Sequence, residues 1–258
     1  MKKLILLFLV PVLSLGLACS DGGGDDEDGN GDGILNPGDG VGDGSGSTTS
    51  NYYPLKTDAY WVMNYTDSED GTVVGEGEET LRVTGKVTIE GKEYWKIVDE
   101  DEVLDSYTRI QDNVLYVIQM DFLPTKAAAM AKAAGVSQFG YLEGEVPMLD
   151  FSKSAGKSWT ISDTSYTEEG INYSLKWTGT YVGNENVTVP AGTFANCRKY
   201  LIVMVYSTSF NNFSYSSETK TTVWLAANVG PVKIIDSDDA NDEYSYEYTS
   251  VLKEYSIP

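Results

Sequence analysis

The sequence predicts an all-β protein built from antiparallel strands, and three observations lead to that fold class. From residue 51 onward, apolar and polar residues alternate with the period of two that is typical of half-buried strands. These stretches are rich in β-branched and aromatic residues, which favour a pleated surface over a helix. Short pairs of Gly, Asn, Asp and Glu separate them, as expected for hairpin turns.

The alternating stretches also indicate where the chain reverses. Two of them break at the pairs Glu90-Gly91 and Asp112-Asn113, which are typical of tight turns that need positive φ. Strands are expected within residues 59–66, 78–100, 106–120, 172–183, 199–207 and 243–255. The stretch 199–207 is apolar on both faces, as in a covered central strand.

One short helix is predicted, at residues 124–135. Pro124 and Thr125 are typical of a helix start, alanines fill the interior, and Gly135 is typical of a helix end. Met130 belongs to its small apolar face. Two interpretations remain open, a helix that covers the sheet and a lid over the mouth of a ligand cavity.

The first 19 residues have the pattern of an export signal. Lys2 and Lys3 precede an apolar run, residues 4–17, that is too short for a stable membrane span. Gly-Leu-Ala-Cys at 16–19 resembles the lipobox of bacterial lipoproteins, with Gly16 where leucine is usual. The resemblance implies that Cys19 is diacylated, becomes the new N-terminus and anchors the chain to a membrane. The alternative is an ordinary secreted protein.

Residues 20–50 have the composition of a solvated tether. They contain no Lys or Arg, eleven glycines and eight acids, so they cannot bury enough apolar surface to offset the entropy of ordering. The acidic residues directly after Cys19 resemble the signal that sends Bacteroidetes-type lipoproteins to the outer face of the outer membrane. This resemblance implies an outer-membrane protein exposed at the cell surface, and a periplasm-facing protein is the alternative.

Part of the tether has the spacing of a calcium-binding loop. Oxygen donors at alternate positions, a glycine at the sixth and an acid at the twelfth match an EF-hand-type loop. The flanks are rich in Gly and Pro where an EF-hand has helices, so a linker that matches by composition is the alternative. A site here would be weak and would stiffen the tether. The candidate ligands are Asp28, Asn30, Asp32, Ile34 and Asp39.

Composition excludes several classes of function. The formal net charge of −21 opposes binding to nucleic acid and to anionic lipid headgroups. The chain has no histidine, which removes Ser-His-Asp and Cys-His catalysis and His-ligated zinc. Cys197 is the one cysteine left after lipidation, and we expect a buried, unreactive thiol. Acidic runs at 98–105 and 236–243 are expected to be solvated loops, with a calcium-binding loop as the alternative. No acid–base enzyme is predicted, and an acid-pair hydrolase would require two carboxylates facing one cleft.

Three phrases resemble a domain of unknown function shared by bacterial lipoproteins. They are Tyr53–Trp61, with Asp58 where the phrase Y-P-L-x-x-G-x-x-W has glycine, Val189–Cys197 (V-P-A-G-T-F-x-N-C) and Trp224–Val232 (W-x-A-x-x-V-G-x-V). The resemblance covers residues 52–236 and implies a strongly curved antiparallel sheet, half-barrel or barrel-like, akin to periplasmic lipoprotein carriers. It implies no activity. In physical terms the central phrase is a turn, because Pro190 lacks a donor and Gly192 permits positive φ.

Three non-enzymatic functions fit these features. The first is binding of an apolar small molecule or lipid-linked cargo in the concavity of the sheet, toward which the tryptophans, including Trp159, are expected to point. The second is glycan binding, which needs a row of exposed rings. The third is an accessory role that binds an envelope protein through an exposed apolar patch. The ligand-binding residues predicted for the first function are Trp61, Trp95, Trp177, Trp224 and Met130.

Overall fold

A computed structural model of the protein describes residues 51–99, 105–119, 145–168, 170–211, 213–238 and 245–258. These residues form one 12-stranded antiparallel sheet, which confirms the predicted all-β class. They contain no helix, and therefore none that is long and apolar enough to span a bilayer. The strands are β1 (Tyr60–Glu69), β2 (Thr72–Ile89), β3 (Lys92–Asp99), β4 (Asp105–Gln111), β5 (Val114–Gln119), β6 (Glu145–Asp150), β7 (Lys157–Glu168), β8 (Ile171–Val189), β9 (Gly192–Phe210), β10 (Phe213–Ala226), β11 (Gly230–Asp238) and β12 (Tyr246–Ser256).

The sheet curls into a nearly closed barrel, so the predicted strong curvature is also confirmed. The strand order runs from β6 through β5, β4, β3, β2, β1, β12, β11, β10, β9 and β8 to β7. The two edge strands approach each other, and Nε1 of Trp159 on β7 donates a hydrogen bond to the carbonyl oxygen of Pro147 on β6 at 2.9 Å. This bond joins the two edges of the sheet.

Two features of the strands contribute to the curvature: β-bulges and a glycine that makes room for a tryptophan. Register shifts interrupt seven of the strand pairs, and such bulges increase the local bend and twist. In addition, Gly179 on β8 lies directly under Trp159, because a Cβ atom at position 179 would be 2.1 Å from the indole ring. Glycine therefore lets the edge strand β7 lay its tryptophan over β8.

The hairpin turns follow the expected pairs. Glu90 and Gly91 have φ of 50° and 79°, and Asp112 and Asn113 have 51° and 62°. Positive φ at both central residues is the geometry whose twist matches the flanking strands. The two predicted turns are confirmed.

The three phrases take up structural roles at one end of the barrel. Asp58 adopts φ of 65°, at the position where the phrase usually has glycine, and Gly192 adopts 132° in the turn between β8 and β9. Nε1 of Trp61 donates to the carbonyl oxygen of Val229 at 2.6 Å, which connects the first phrase to the third. The phrases therefore hold the fold together at this end.

The barrel interior is packed with apolar side chains from strands that alternate between an inner and an outer face. Cys197 belongs to this core and is fully buried as a free thiol, as expected. The largest fully buried side chains are Trp61, Trp177, Tyr53, Tyr200, Met63, Leu81, Ile97, Leu115, Met148, Leu149 and Leu225.

The expectation that the acidic run 236–243 is a solvated loop is wrong at its start. Asp236, the first residue of the acidic run 236–243, lies within β11 instead of a solvated loop and is only 6% exposed. It is paired with Tyr248 of β12 and turned toward the interior by the alternation of the strand. The composition of the run is acidic, but the strand continues through its first residues.

Several predictions concern residues outside the described ranges. They are the signal peptide with Cys19, the tether 20–50, the candidate calcium ligands Asp28, Asn30, Asp32, Ile34 and Asp39, and the helix predicted at 124–135 with Met130.

Candidate functional site

Two of the predicted ligand-binding tryptophans lie inside the packed core. Trp61 and Trp177 are fully buried. The ring of Trp61 packs at 6.1 Å from Tyr53, and Trp177 is paired with Met204 of β9 on the inner face. Both side chains therefore fill the part of the barrel interior in which they lie.

The other tryptophans have different surroundings. Trp95 is half-buried under the ammonium group of Lys86, which lies 5.2 Å from the ring centroid. Trp224 is buried on the outer face of β10, where Lys199 and Lys233 lie over its ring and its Nε1 donates to Glu185. None of the five tryptophans is an exposed ring, so a tryptophan row on the surface is absent.

A groove of about 670 Å³ crosses the ends of β7, β8, β9 and β10. We call it the rim groove, because it lies where the hairpins β7–β8 and β9–β10 turn. Its lining consists of three successive rows, each with one residue from each of the four strands. The rows are Ser165, Ser174, Ser207 and Ser216, then Tyr166, Tyr173, Thr208 and Tyr215, then Thr167, Asn172, Ser209 and Ser214.

Alternation places the first and third rows on the outer face of the sheet and the tyrosine row on the inner face. The outer rows hydrogen-bond across the strands: the hydroxyls of Ser207 and Ser216 are 3.0 Å apart, and the hydroxyl of Thr167 donates to Oδ1 of Asn172 at 2.8 Å. The residues of all three rows carry hydroxyl or amide groups and no Asp, Glu, Lys or Arg. The groove is therefore polar and uncharged at neutral pH.

Three tyrosine rings line the inner side of the groove, and two phenylalanine rings lie at the nearby β9–β10 turn. The rings of Tyr166 and Tyr173 stack at 4.9 Å with an interplanar angle of 20°. At the β9–β10 turn, Phe210 and Phe213 are 44% and 65% exposed, and Tyr215 is 38% exposed. The exposed rings at this end of the sheet are therefore Phe and Tyr instead of Trp. Phe213 is the first residue of β10.

A second polar cluster lies on the inner face of β1, β2, β11 and β12. We call it the acidic layer and define it by Asp67, Glu79 and Asp236. Oε1 of Glu79 accepts hydrogen bonds from the hydroxyls of Tyr248 at 3.0 Å and Ser250 at 3.3 Å. Burial raises the pKa of the Glu79 carboxyl to about 7, against the effect of these two donors.

The remaining carboxyls of the layer have hydroxyl neighbours as well. Thr221 donates to Asp236, and burial raises the pKa of the Asp236 carboxyl to about 7. Asp67 is 3% exposed and bonds to the hydroxyl of Tyr246. This layer was not predicted from the sequence, although the alternation that turns Tyr246 and Tyr248 inward indicates that Asp236 on the neighbouring strand also faces inward.

The described residues contain no group of three or more Cys, Asp or Glu side chains that could hold a metal ion. The three carboxyls of the acidic layer therefore do not form a group of this kind. The candidate calcium ligands of the tether lie outside this part of the chain.

Comparison with solved structures finds two distant likenesses. A candidate lipoprotein from Parabacteroides distasonis ATCC 8503 aligns with a TM-score of 0.45 and 15% identity, covering 80% of this chain and 98% of that chain. A candidate exported protein with a YmcC-like fold from Bacteroides fragilis NCTC 9343 aligns with a TM-score of 0.37 and 12% identity, covering 79% of this chain and 98% of that chain. At these scores the likenesses carry no argument about function.

No family model matches the chain, and no curated protein matches it. The resemblance to a domain of unknown function is therefore unconfirmed and stays a prediction.

Proposed function

We propose that the protein is a non-enzymatic binding protein that takes a neutral glycan in the rim groove. The observation that carries this proposal is the pair of hydroxyl and amide rows on the outer face of four adjacent strands. Each hydroxyl can both donate and accept a hydrogen bond, which suits a ligand whose own groups are hydroxyls.

Charge and size narrow the class of ligand. A groove without acidic or basic side chains gives no ion pair to an anionic or cationic ligand, so a neutral polyhydroxyl compound fits it best. Its volume of about 670 Å³ lies within the usual range for small-ligand sites, about 300–1,000 Å³. The ring of Tyr215, which is 38% exposed, supplies apolar surface at the inner edge of the groove.

An apolar ligand inside the concavity has weaker support. Trp61 and Trp177 are fully buried among core side chains, so the interior is filled where they lie. The rim groove, by contrast, is open to solvent and already formed. A glycan site therefore ranks ahead of the apolar site, which stays a prediction.

The test is calorimetric titration with a panel of neutral, acidic and amino oligosaccharides. Removing two hydroxyls with Ser174→Ala and Ser207→Ala should weaken binding of a neutral glycan roughly tenfold, because each lost hydrogen bond is worth about 0.5–1.5 kcal/mol. Ser158→Ala is the matched control. Its hydroxyl is also exposed on β7 and bonds across the strands to Thr180 at 2.8 Å, but it lies outside the groove.

Two results would count against the glycan site. The first is a panel in which no neutral glycan binds. The second is a bound glycan whose affinity falls equally with Ser158→Ala and with the groove variants.

We also propose that Cys19 is acylated and anchors the chain to the outer membrane, facing the cell surface. The lipobox resemblance and the acidic tether support this proposal. Radiolabelled palmitate should enter the wild-type chain and not Cys19→Ser, and external protease should cleave the domain on intact cells. Protection in intact cells together with cleavage in opened cells would favour the periplasm-facing alternative.

The tether is proposed to hold a weak calcium site at Asp28, Asn30, Asp32, Ile34 and Asp39. Calorimetric titration with calcium should then show binding that Asp28→Asn together with Asp32→Asn removes. Unchanged heat in the variant would identify the segment as a plain linker.

A further inference from the structure

Glu79 and Asp236 of the acidic layer face the same interior from different strands. Glu79 on β2 is paired with Met63 of β1, and Asp236 on β11 is paired with Tyr248 of β12. Paired residues lie on the same face of a sheet, and Met63 and Tyr248 face inward, so both carboxyls face inward as well. Their negative charges are close enough to repel each other. The layer therefore concentrates negative charge inside the barrel.

The hydrogen-bond partners of these two carboxyls are hydroxyl groups. Glu79 receives bonds from Tyr248 and Ser250, and Asp236 receives one from Thr221. Oδ1 of Asp236 is buried and has no hydrogen-bond partner within the described residues, although the side chain is only 6% exposed. A buried oxygen of this kind normally has a partner, because leaving it without one costs free energy.

A positively charged group that donates hydrogen bonds would satisfy this oxygen and offset the negative charge of the layer. Glu79 and Asp236 lie on different strands, and the described residues bring no three acidic side chains to a point where a metal ion could sit. Two separate carboxyls instead match a ligand with two separate positive groups. The ammonium groups of a linear amine provide three donors each and are joined by methylene groups.

The walls of the layer suit such a ligand. The ring of Tyr65 stacks on that of Tyr248 at 5.9 Å with an interplanar angle of 23°. These rings add apolar surface beside the carboxyls, against which methylene groups pack. Glu79 and Tyr246 are half-buried instead of fully buried, so solvent reaches the layer beside them.

We propose that the acidic layer binds a linear diamine or polyamine, with one ammonium group on Asp236 and a second on Glu79. This site is separate from the rim groove, which lies on β7–β10. It adds a cationic ligand to the neutral glycan proposed for the groove.

The experiment uses the purified full-length protein at about pH 8 and fixed ionic strength, where free amines are charged and both carboxyls lose their protons. Melting temperature and calorimetric heat are measured with spermidine, putrescine, butylamine and 1,4-butanediol. Spermidine and putrescine should raise the melting temperature saturably, by about 3 °C or more at high occupancy. Butylamine, with one ammonium group, should bind at least about tenfold more weakly, and the uncharged diol should not bind.

Asp236→Asn should weaken putrescine binding at least about tenfold, and Glu79→Gln should do the same. The control is Asp163→Asn, which removes the same charge from an exposed position on the outer face of β7 and should leave the affinity unchanged. A response that is equal in Asp163→Asn and Asp236→Asn would show that amines only screen the overall negative charge. That result would overturn the proposal. An equal response of the wild-type protein to butylamine and putrescine would also overturn it, and this comparison does not depend on the folding of any variant.

Discussion

The hydroxyl of Tyr248 donates a hydrogen bond to Oε1 of Glu79 at 3.0 Å inside the barrel, and Ser250 donates to the same oxygen at 3.3 Å. Both donors favour the ionised carboxylate, yet burial outweighs them and raises the pKa of Glu79 to about 7. The balance arises because the donors on this carboxyl are neutral hydroxyls instead of a Lys or Arg side chain. The same balance applies to Asp236, which Thr221 holds.

This arrangement predicts that the protein loses stability as pH rises toward neutrality. The ordinary pKa values of the two carboxyls, 4.5 for Glu79 and 3.8 for Asp236, are raised to about 7 by folding. The folded chain therefore binds protons more tightly than the unfolded chain between about pH 4 and pH 7. The stability contribution is fully present below pH 4 and is lost as pH rises through 7, by on the order of 3 kcal/mol for each carboxyl.

Urea unfolding from pH 4 to pH 9 measures this effect. Glu79→Gln and Asp236→Asn should each flatten the profile, and each should be more stable than the wild type at about pH 8 by on the order of 2 kcal/mol. Asp163→Asn, at an exposed site, should keep the wild-type slope. A profile that rises from pH 4 to pH 7, or one that the two interior variants leave unchanged, would contradict the prediction.

Gly179→Ala should open the contact between the two edges of the sheet. The added Cβ would lie 2.1 Å from the indole ring of Trp159, which must then move and lose its bond to the Pro147 carbonyl. We expect a loss of about 2–4 kcal/mol in the free energy of unfolding. In a Trp159→Leu background the same change should cost clearly less, because the ring that causes the clash is gone. An equal loss in the free energy of unfolding in the two backgrounds would show that Gly179 is needed for its backbone conformation and not for its contact with Trp159.

Cys197 should resist thiol reagents in the folded protein. Its Sγ donates weakly to the Phe194 carbonyl at 3.4 Å, and burial raises the pKa of its thiol, so little thiolate forms. In the Cys19→Ser chain, a disulfide reagent should label Cys197 at least about 100-fold faster in denaturant than in buffer. Fast labelling in buffer would mean that the β8–β9 end of the barrel opens readily.

The sequence predicted the strands because alternation and turn chemistry act locally. Glu90-Gly91 and Asp112-Asn113 adopt positive φ for the reason that makes such pairs recognisable in a sequence. Asp58 tolerates positive φ where the related phrase has glycine, since Asp is among the residues that enter this region most easily. Each of these features depends on a few neighbouring residues.

The candidate site could not be predicted in the same way because it depends on strand register. The serine row of the rim groove exists only because Ser165, Ser174, Ser207 and Ser216 are aligned across four strands. The covered central strand expected at 199–207 also depends on what lies over it, and the outer residues of β9 are half-buried instead of covered. Alternation gives the face of a residue but not its neighbours.

Arg198 should be a major stabilising residue of the barrel end opposite the rim groove. Its Nη1 donates to the Phe151 carbonyl at 2.7 Å and to the Tyr200 hydroxyl at 3.2 Å, and its guanidinium lies 4.7 Å and 5.0 Å from the ring centroids of Tyr52 and Tyr181. Arg198→Met should cost about 2–4 kcal/mol, and Arg198→Lys should recover less than half, because lysine keeps the charge but loses the planar group. Lys253→Met, at an exposed ion pair, should cost under about 1 kcal/mol by urea unfolding. Full recovery by lysine would show that charge alone matters at this position.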